Sequence, residues 1–292
     1  MKHLIYCCSL LMIIFLSCEE NMPGAKLGIT VPEKEYHVGD TVTFYLNGAP
    51  DNIVFYSGEI GHNYELRDRL YADNDLFVDF TSYVRYGTPF DNMKCMVSSN
   101  FNGVYDVENV EKAEWTDVSS KFTFSDGADR VPSGRVNLKE YVKNEEDTLY
   151  FAFLYDDKKS NRQNNWIVRT INVEKVSPEG SVTQEATMSN IAWKAVDFKN
   201  LDKYWTITTT QVLIDGGANQ PENEDWLISM GFHVRKSVPD TGITLKNIST
   251  TMTEYQDVYT QSGTFNATFA TSSEWYSGRS SAVTSVPVVI KP

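Results

Sequence analysis

Apolar residues recur at every second position through much of the chain. Val42, Phe44 and Leu46 alternate with polar or outward-facing neighbours, as do Ile53 and Phe55, then Met93, Cys95 and Val97, and later Phe265, Ala267 and Phe269. This period predicts strands with one face buried. Leu149 to Tyr155 (LYFAFLY) is apolar at successive positions, which predicts a central strand covered on both faces. Helical spacing is not sustained beyond about two turns between Glu20 and Pro292, and Val136 to Val142 (VNLKEYV) is the one helix expected. Turn clusters at Asn47-Gly48-Ala49-Pro50, Ser125-Asp126-Gly127, Pro132-Ser133-Gly134, Asp215-Gly216-Gly217 and Pro239-Asp240-Thr241-Gly242 separate the runs. Many short strands between such turns predict an all-β protein built from sandwiches or jelly rolls.

The N-terminus departs from this pattern. Lys2 and His3 precede an apolar run from Leu4 to Leu16. A run of that length falls short of the roughly 20 residues that cross a hydrocarbon core, and it reads as a secretion signal over residues 1–17. Phe15-Leu16-Ser17-Cys18 resembles a bacterial lipobox, which implies a mature N-terminus at Cys18, acylated, with 18–25 as a lipidated linker. Cys18-Glu19-Glu20-Asn21-Met22 is similar to the acidic export tag of Bacteroidetes lipoproteins. That resemblance implies an outer-membrane protein exposed at the cell surface, while an acidic spacer also suits simple solvation on the periplasmic side. Cys7 and Cys8 leave with the signal, so Cys95 is the single free thiol expected and no disulfide is available.

At 292 residues the chain has the length of about two domains. Its 41% hydrophobic and 22% charged residues are ordinary soluble composition, and 13% aromatic content suits half-buried pleated surfaces. A formal net charge of −13, from 39 acidic against 26 basic residues, argues against nucleic acid and anionic headgroups as electrostatic partners.

Residues 26–70 hold only about three strands, where an immunoglobulin-like sandwich takes about seven. His37-Val38-Gly39-Asp40-Thr41-Val42-Thr43-Phe44 resembles the opening of a PKD-type immunoglobulin-like domain, and the run from Tyr255 to Phe265 (YQDVYTQSGTF) resembles its closing strands. The resemblance implies a discontinuous PKD-like domain made of 26–70 and 243–292, with 71–242 inserted; a tandem order is the other arrangement. Phe55-Tyr56-Ser57-Gly58-Glu59-Ile60-Gly61 stands where PKD domains carry a WDFGDG stretch. Within 71–242, the segments around Trp115, Val136, Phe151, Trp166 and Asp225-Trp226-Leu227-Ile228-Ser229 follow the order of galactose-binding-like or choice-of-anchor jelly rolls. With the FYSGE-x-G-x-x-Y motif at 55–64, the chain resembles a Bacteroidetes surface lipoprotein family of unknown function linked to polysaccharide utilisation. These are signatures of fold, and none is catalytic.

Candidate chemistry is sparse. His3, His37, His62 and His233 have no metal-ligand spacing, Cys95 reads as a small buried hydrophobe, and no G-x-S-x-G elbow occurs. Glu222, Glu224 and Asp225, with Asp156 and Asp157, are the carboxylates that a glycoside hydrolase would need, although loop acids are more often solvated. Asp73-Asn74-Asp75 is a conceivable contributor to a structural calcium site, and no other cofactor is expected. Trp115, Trp166 and Trp226 belong to strand motifs and are expected in cores. Trp275 and Tyr276 lie in the polar stretch 271–281, expected to connect two strands, where a large ring suits stacking on sugar faces; Glu274 and Arg279 are the adjacent hydrogen-bonding groups. Tyr204 and Trp205, at the start of a Thr-rich run expected to be one long strand, form a second candidate platform. Tyr64, Arg67 and Arg69 mark a hinge or a cleft. The expectation is a non-catalytic surface lipoprotein that holds a polysaccharide or oligosaccharide for neighbouring hydrolases or an importer. An adhesin or a structural subunit of a surface complex is the alternative, and a glycoside hydrolase the third.

Overall fold

The computed structural model describes residues 24–88, 90–276 and 278–292. The expected signal at 1–17 and the lipid site Cys18 lie outside them. The protein is all-β and sandwich-like. It divides into two compact units: the described residues up to Asp68 join Asp240–Pro292 in one, and Arg69–Pro239 form the other.

In the first unit a three-stranded sheet (Gly28–Thr30, Thr41–Asn47, Glu254–Val258) faces a five-stranded one. The latter runs Ile243–Lys246, Asn52–Tyr56, Gly263–Trp275, Gly278–Lys291, Tyr36–His37. Alternation supplies the core: Val42, Phe44 and Leu46 from one sheet meet Ile53, Phe55, Ala267, Phe269, Val288 and Ile290 from the other. The rings of Phe44, Phe55 and Phe269 lie within 4.9–5.4 Å of one another. The FYSGE motif ties the end of Asn52–Tyr56 to the segment after Val258. Tyr259 Oη donates to the Ser57 carbonyl at 3.0 Å, and Glu59 Oε1 accepts from the Thr260 amide at 3.0 Å. Gly58 sits at φ +86 with the Asn266 backbone 2.9 Å from where a Cβ would be, so no other residue fits without displacement.

In the second unit the sheet Lys194–Asp197, Asn223–Ile228, Tyr150–Asp157, Met93–Ser98, Thr116–Asp117 packs on a seven-stranded sheet centred on Asn165–Val176 and Asp75–Arg85. Tyr150–Asp157 is the middle strand of its sheet, and its apolar faces serve two cores. Phe151, Phe153 and Tyr155 enter the core between the sheets with Phe80 and Trp166. Ala152 and Leu154 enter a smaller cluster on the outer side, with Met96, Phe101 and Trp226. Trp166 is fully buried, and Trp115 packs its ring 4.9 Å from Trp226.

The helix expected at 136–142 does not form: Val136–Asn137 is a short strand and Lys139–Tyr141 a single 3-10 turn. Among the described residues the α-helix is Val107–Lys112 instead. Asp106 caps it by accepting from the Asn109 amide at 2.8 Å, Glu108 stands in the first turn and Lys112 in the last. Only Val110 is buried, so the apolar period that marks a helix is missing there.

Candidate functional site

Gly263–Trp275 and Gly278–Lys291 pair along their whole length, from Gly263 opposite Ile290 to Trp275 opposite Gly278. Trp275 and Gly278 are already paired, so the stretch 271–281 belongs to the end of a hairpin rather than to a polar loop. Its hydroxyls are engaged: Thr271 Oγ1 donates to the Ala25 carbonyl at 2.6 Å, Ser272 Oγ accepts from Asn52 Nδ2 at 3.2 Å, and Ser273 Oγ accepts from the Asp51 amide at 3.3 Å. Sequence polarity is a poor guide here because a hydroxyl with a backbone partner is buried at little cost.

On the outer face of the five-stranded sheet a groove of about 400 Å³ runs beside this hairpin. Asn52, Ser272, Ser281 and Thr244 give it hydroxyl and amide groups, Tyr64 gives it a ring, and Arg279 stands at the end near the turn. Arg279 Nε lies 3.0 Å from Glu274 Oε1, its direct cross-strand partner. Tyr64 opens the 3-10 turn Tyr64–Leu66, capped by Asn63, with the Arg67 guanidinium 3.8 Å from its ring centroid. Trp275 and Tyr276 do not line the groove. Their rings meet at 5.6 Å beyond its end, Trp275 half-buried and Tyr276 85% exposed. Asn52, Ser272, Ser281 and Thr244 carry no signal of their own in the sequence; their shared face emerges only from the register.

The other platform candidates belong to the second unit. Trp205 is buried at 3% exposure in the inter-sheet core, its Nε1 donating to the Asp225 carbonyl at 3.4 Å, so it presents no face to a sugar. The Thr-rich run after it is not one strand: Thr206–Ile207 is followed by a turn in which the Thr208 amide donates to the Gln211 carbonyl. Tyr204 is exposed, without its expected neighbour beside it. Arg69 forms a two-point pair with Glu179 at 2.6 and 2.9 Å within the second unit, whereas Tyr64 and Arg67 belong to the first.

The nominated carboxylates have ordinary partners. Lys158 bridges Asp156 and Glu222, and Lys199 bridges Glu222 and Glu224. Asp157 Oδ2 accepts from Asn92, Tyr155 and the Asn164 amide, a half-buried acceptor that joins two strand ends. Asp225 is fully buried; burial first, and Asp197 beside it, push its carboxyl up to about 8 despite the hydrogen bond from Asn223. It has no surface on which a substrate could lie. At the expected calcium position, Asp73 is paired with Lys139 and Arg235, and the buried Asn74 amide donates to the Val234 carbonyl. Among the described residues no three His, Cys, Asp or Glu side chains converge on a metal position. Cys95 is buried, and burial pushes its thiol well up, away from reactivity.

A family model described as a domain of unknown function, DUF5017, matches residues 17–193, more than half of the chain, and the chain belongs to that family. No curated protein matches it.

Proposed function

We propose that this DUF5017 member is a non-catalytic lipoprotein, anchored through Cys18 at the outer membrane and exposed at the cell surface, that binds glycan for a polysaccharide-utilisation system. The observation that carries the reading is the groove on the outer face of the first unit, where hydroxyls, an amide, one ring and one guanidinium share a shallow surface. Sugars are held by this mixture: hydroxyl and amide groups exchange hydrogen bonds with sugar hydroxyls, and a ring covers the apolar C–H face. Arg279 gains a further donor geometry when a sugar hydroxyl competes with Glu274, since an exposed ion pair is worth little by itself. The lipid keeps the module at the membrane, where high local concentration presents captured chains to neighbouring hydrolases or importers. The PKD-like and jelly-roll identities of the two units, and the absence of turnover, belong to the same proposal.

Native affinity electrophoresis of the fragment 19–292, which keeps every described residue, tests it against plant, host and microbial polysaccharides. Retardation by one glycan, lost in Arg279→Ala and Tyr64→Ala, is the expected result. Free migration in every gel overturns it.

The long Gly278–Lys291 strand favours one second reading. Among the described residues its free edge is paired only at Ile290 and Lys291, with Tyr36 and His37, and an unpaired edge is a docking place for another chain. An adhesin or complex subunit would use that edge, and co-purification of a stoichiometric partner that is lost on Ser285→Pro would support it.

A further inference from the structure

Tyr276 is the most exposed large hydrophobic side chain among the described residues, and it sits in a two-residue turn. Such turns favour Asn, Asp and Gly, so local backbone geometry gives no reason for an aromatic ring there. The groove does not use it, nor does it use Trp275, the ring that backs it at 5.6 Å.

The start of the described chain points at this turn. The Leu27 carbonyl accepts from Thr284 Oγ1 at 2.9 Å, and the Ala25 carbonyl from Thr271 Oγ1 at 2.6 Å. Thr271 is the register partner of Ala282, so moving back from Leu27 to Ala25 is moving along the hairpin from 284 to 282, toward Tyr276. Ala25 and Leu27 are buried, which fixes this direction by packing. From Thr271 the turn residue Tyr276 is five residues away, roughly 17 Å at strand rise. The opposite end of the hairpin, at Gly263, is eight residues away, roughly 27 Å. Cys18 precedes Gly24 by six residues, and six residues of any conformation reach about 20 Å at most. A lipid on Cys18 is therefore within reach of the level of the turn and out of reach of the far end.

We propose that the Trp275-Tyr276 turn seats in the headgroup layer of the membrane that holds the Cys18 lipid, an inference that rests on the anchor in the reading above. Tyr and Trp are the side chains that settle at a bilayer interface, with an apolar ring inward and a polar group toward water. Charge permits the approach, because Glu274 and Arg279 cancel each other beside the turn in a chain of net charge −13. The lipid supplies the affinity, and the turn supplies orientation. The unit then stands with its hairpin upright from the membrane and the groove opening on its flank.

The test uses the full lipidated chain in phosphatidylcholine vesicles with and without brominated acyl chains. A bimane label is placed at Tyr276→Cys or, as control at the far end, at Val38→Cys; Cys95 is buried and Cys18 acylated, so the new thiol is the accessible one. Bromine is expected to quench the label at 276 at least threefold more than the label at 38. A second measurement keeps the turn native. Trp275 is the single tryptophan of the first unit, and quenching of protein emission by the same lipids is expected to disappear in Trp275→Phe. Equal quenching at 276 and 38, in protein that has taken up labelled palmitate, overturns the inference and leaves the anchor standing. Failure of Cys18 to take up palmitate overturns the anchor itself. A label at 276 that responds to soluble polysaccharide and not to lipid overturns the inference by assigning the turn to the glycan.

Discussion

Asp197 and Asp225 stand directly opposite each other on neighbouring antiparallel strands, and each keeps a buried Oδ1 that has no hydrogen-bond partner among the described residues. Two carboxylates cannot satisfy each other, but one proton between them satisfies both. The buried acid is held near 8 first by desolvation and then by this neighbour, with Glu224 adding to the repulsion.

A carboxyl whose native pKa lies above its unfolded value binds protons more tightly when folded. Its contribution is full below the unfolded value near 3.9 and is lost as pH rises toward about 8, at up to about 1.4 kcal/mol per pH unit. Urea midpoints are expected to fall between pH 5 and pH 8, and Asp225→Asn, whose amide donates to Asp197 without a titrating proton, is expected to flatten the slope. An unchanged slope in that variant would assign the titration elsewhere.

Gly58→Ala is expected to destabilise the protein by about 1–3 kcal/mol, because φ +86 strains an L-residue and the new methyl meets the Asn266 backbone. Tyr259→Phe removes the buried bond to the Ser57 carbonyl at the same junction and is expected to cost about 1 kcal/mol or somewhat more. Chemical denaturation of the two variants and the double mutant measures both. Coupling between them is expected, as Ser57 and Gly58 share one turn.

Trp166→Phe leaves the Asn92 Oδ1 acceptor, now 2.8 Å from the indole Nε1, buried and unpaired. A loss of about 1–3 kcal/mol is expected, visible as a lowered thermal midpoint. Trp275→Phe, at a half-buried position, is expected to change stability far less.

Cys95 is expected to be silent to a thiol reagent in the native protein at pH 8 and to react stoichiometrically in denaturant. Rapid native labelling would mean that the Met93–Ser98 strand opens on its own.

Period-two spacing at Val42-Phe44-Leu46 and Ile53-Phe55 determined strands with a buried face, and the unbroken apolar run at 149–155 determined a strand buried on both. These follow from local chemistry, because side-chain direction alternates whatever the strand pairs with. The glycines and prolines of the turns were legible for the same reason. Tertiary structure decided the rest. It buried Trp205 under a neighbouring strand, turned the polar stretch 271–281 into paired hairpin, and put Asn52, Ser272 and Arg279 on one face. It also set Asp197 against Asp225, residues 28 apart that share no local signal. Register between distant strands is a property of the whole core, so no window of sequence contains it.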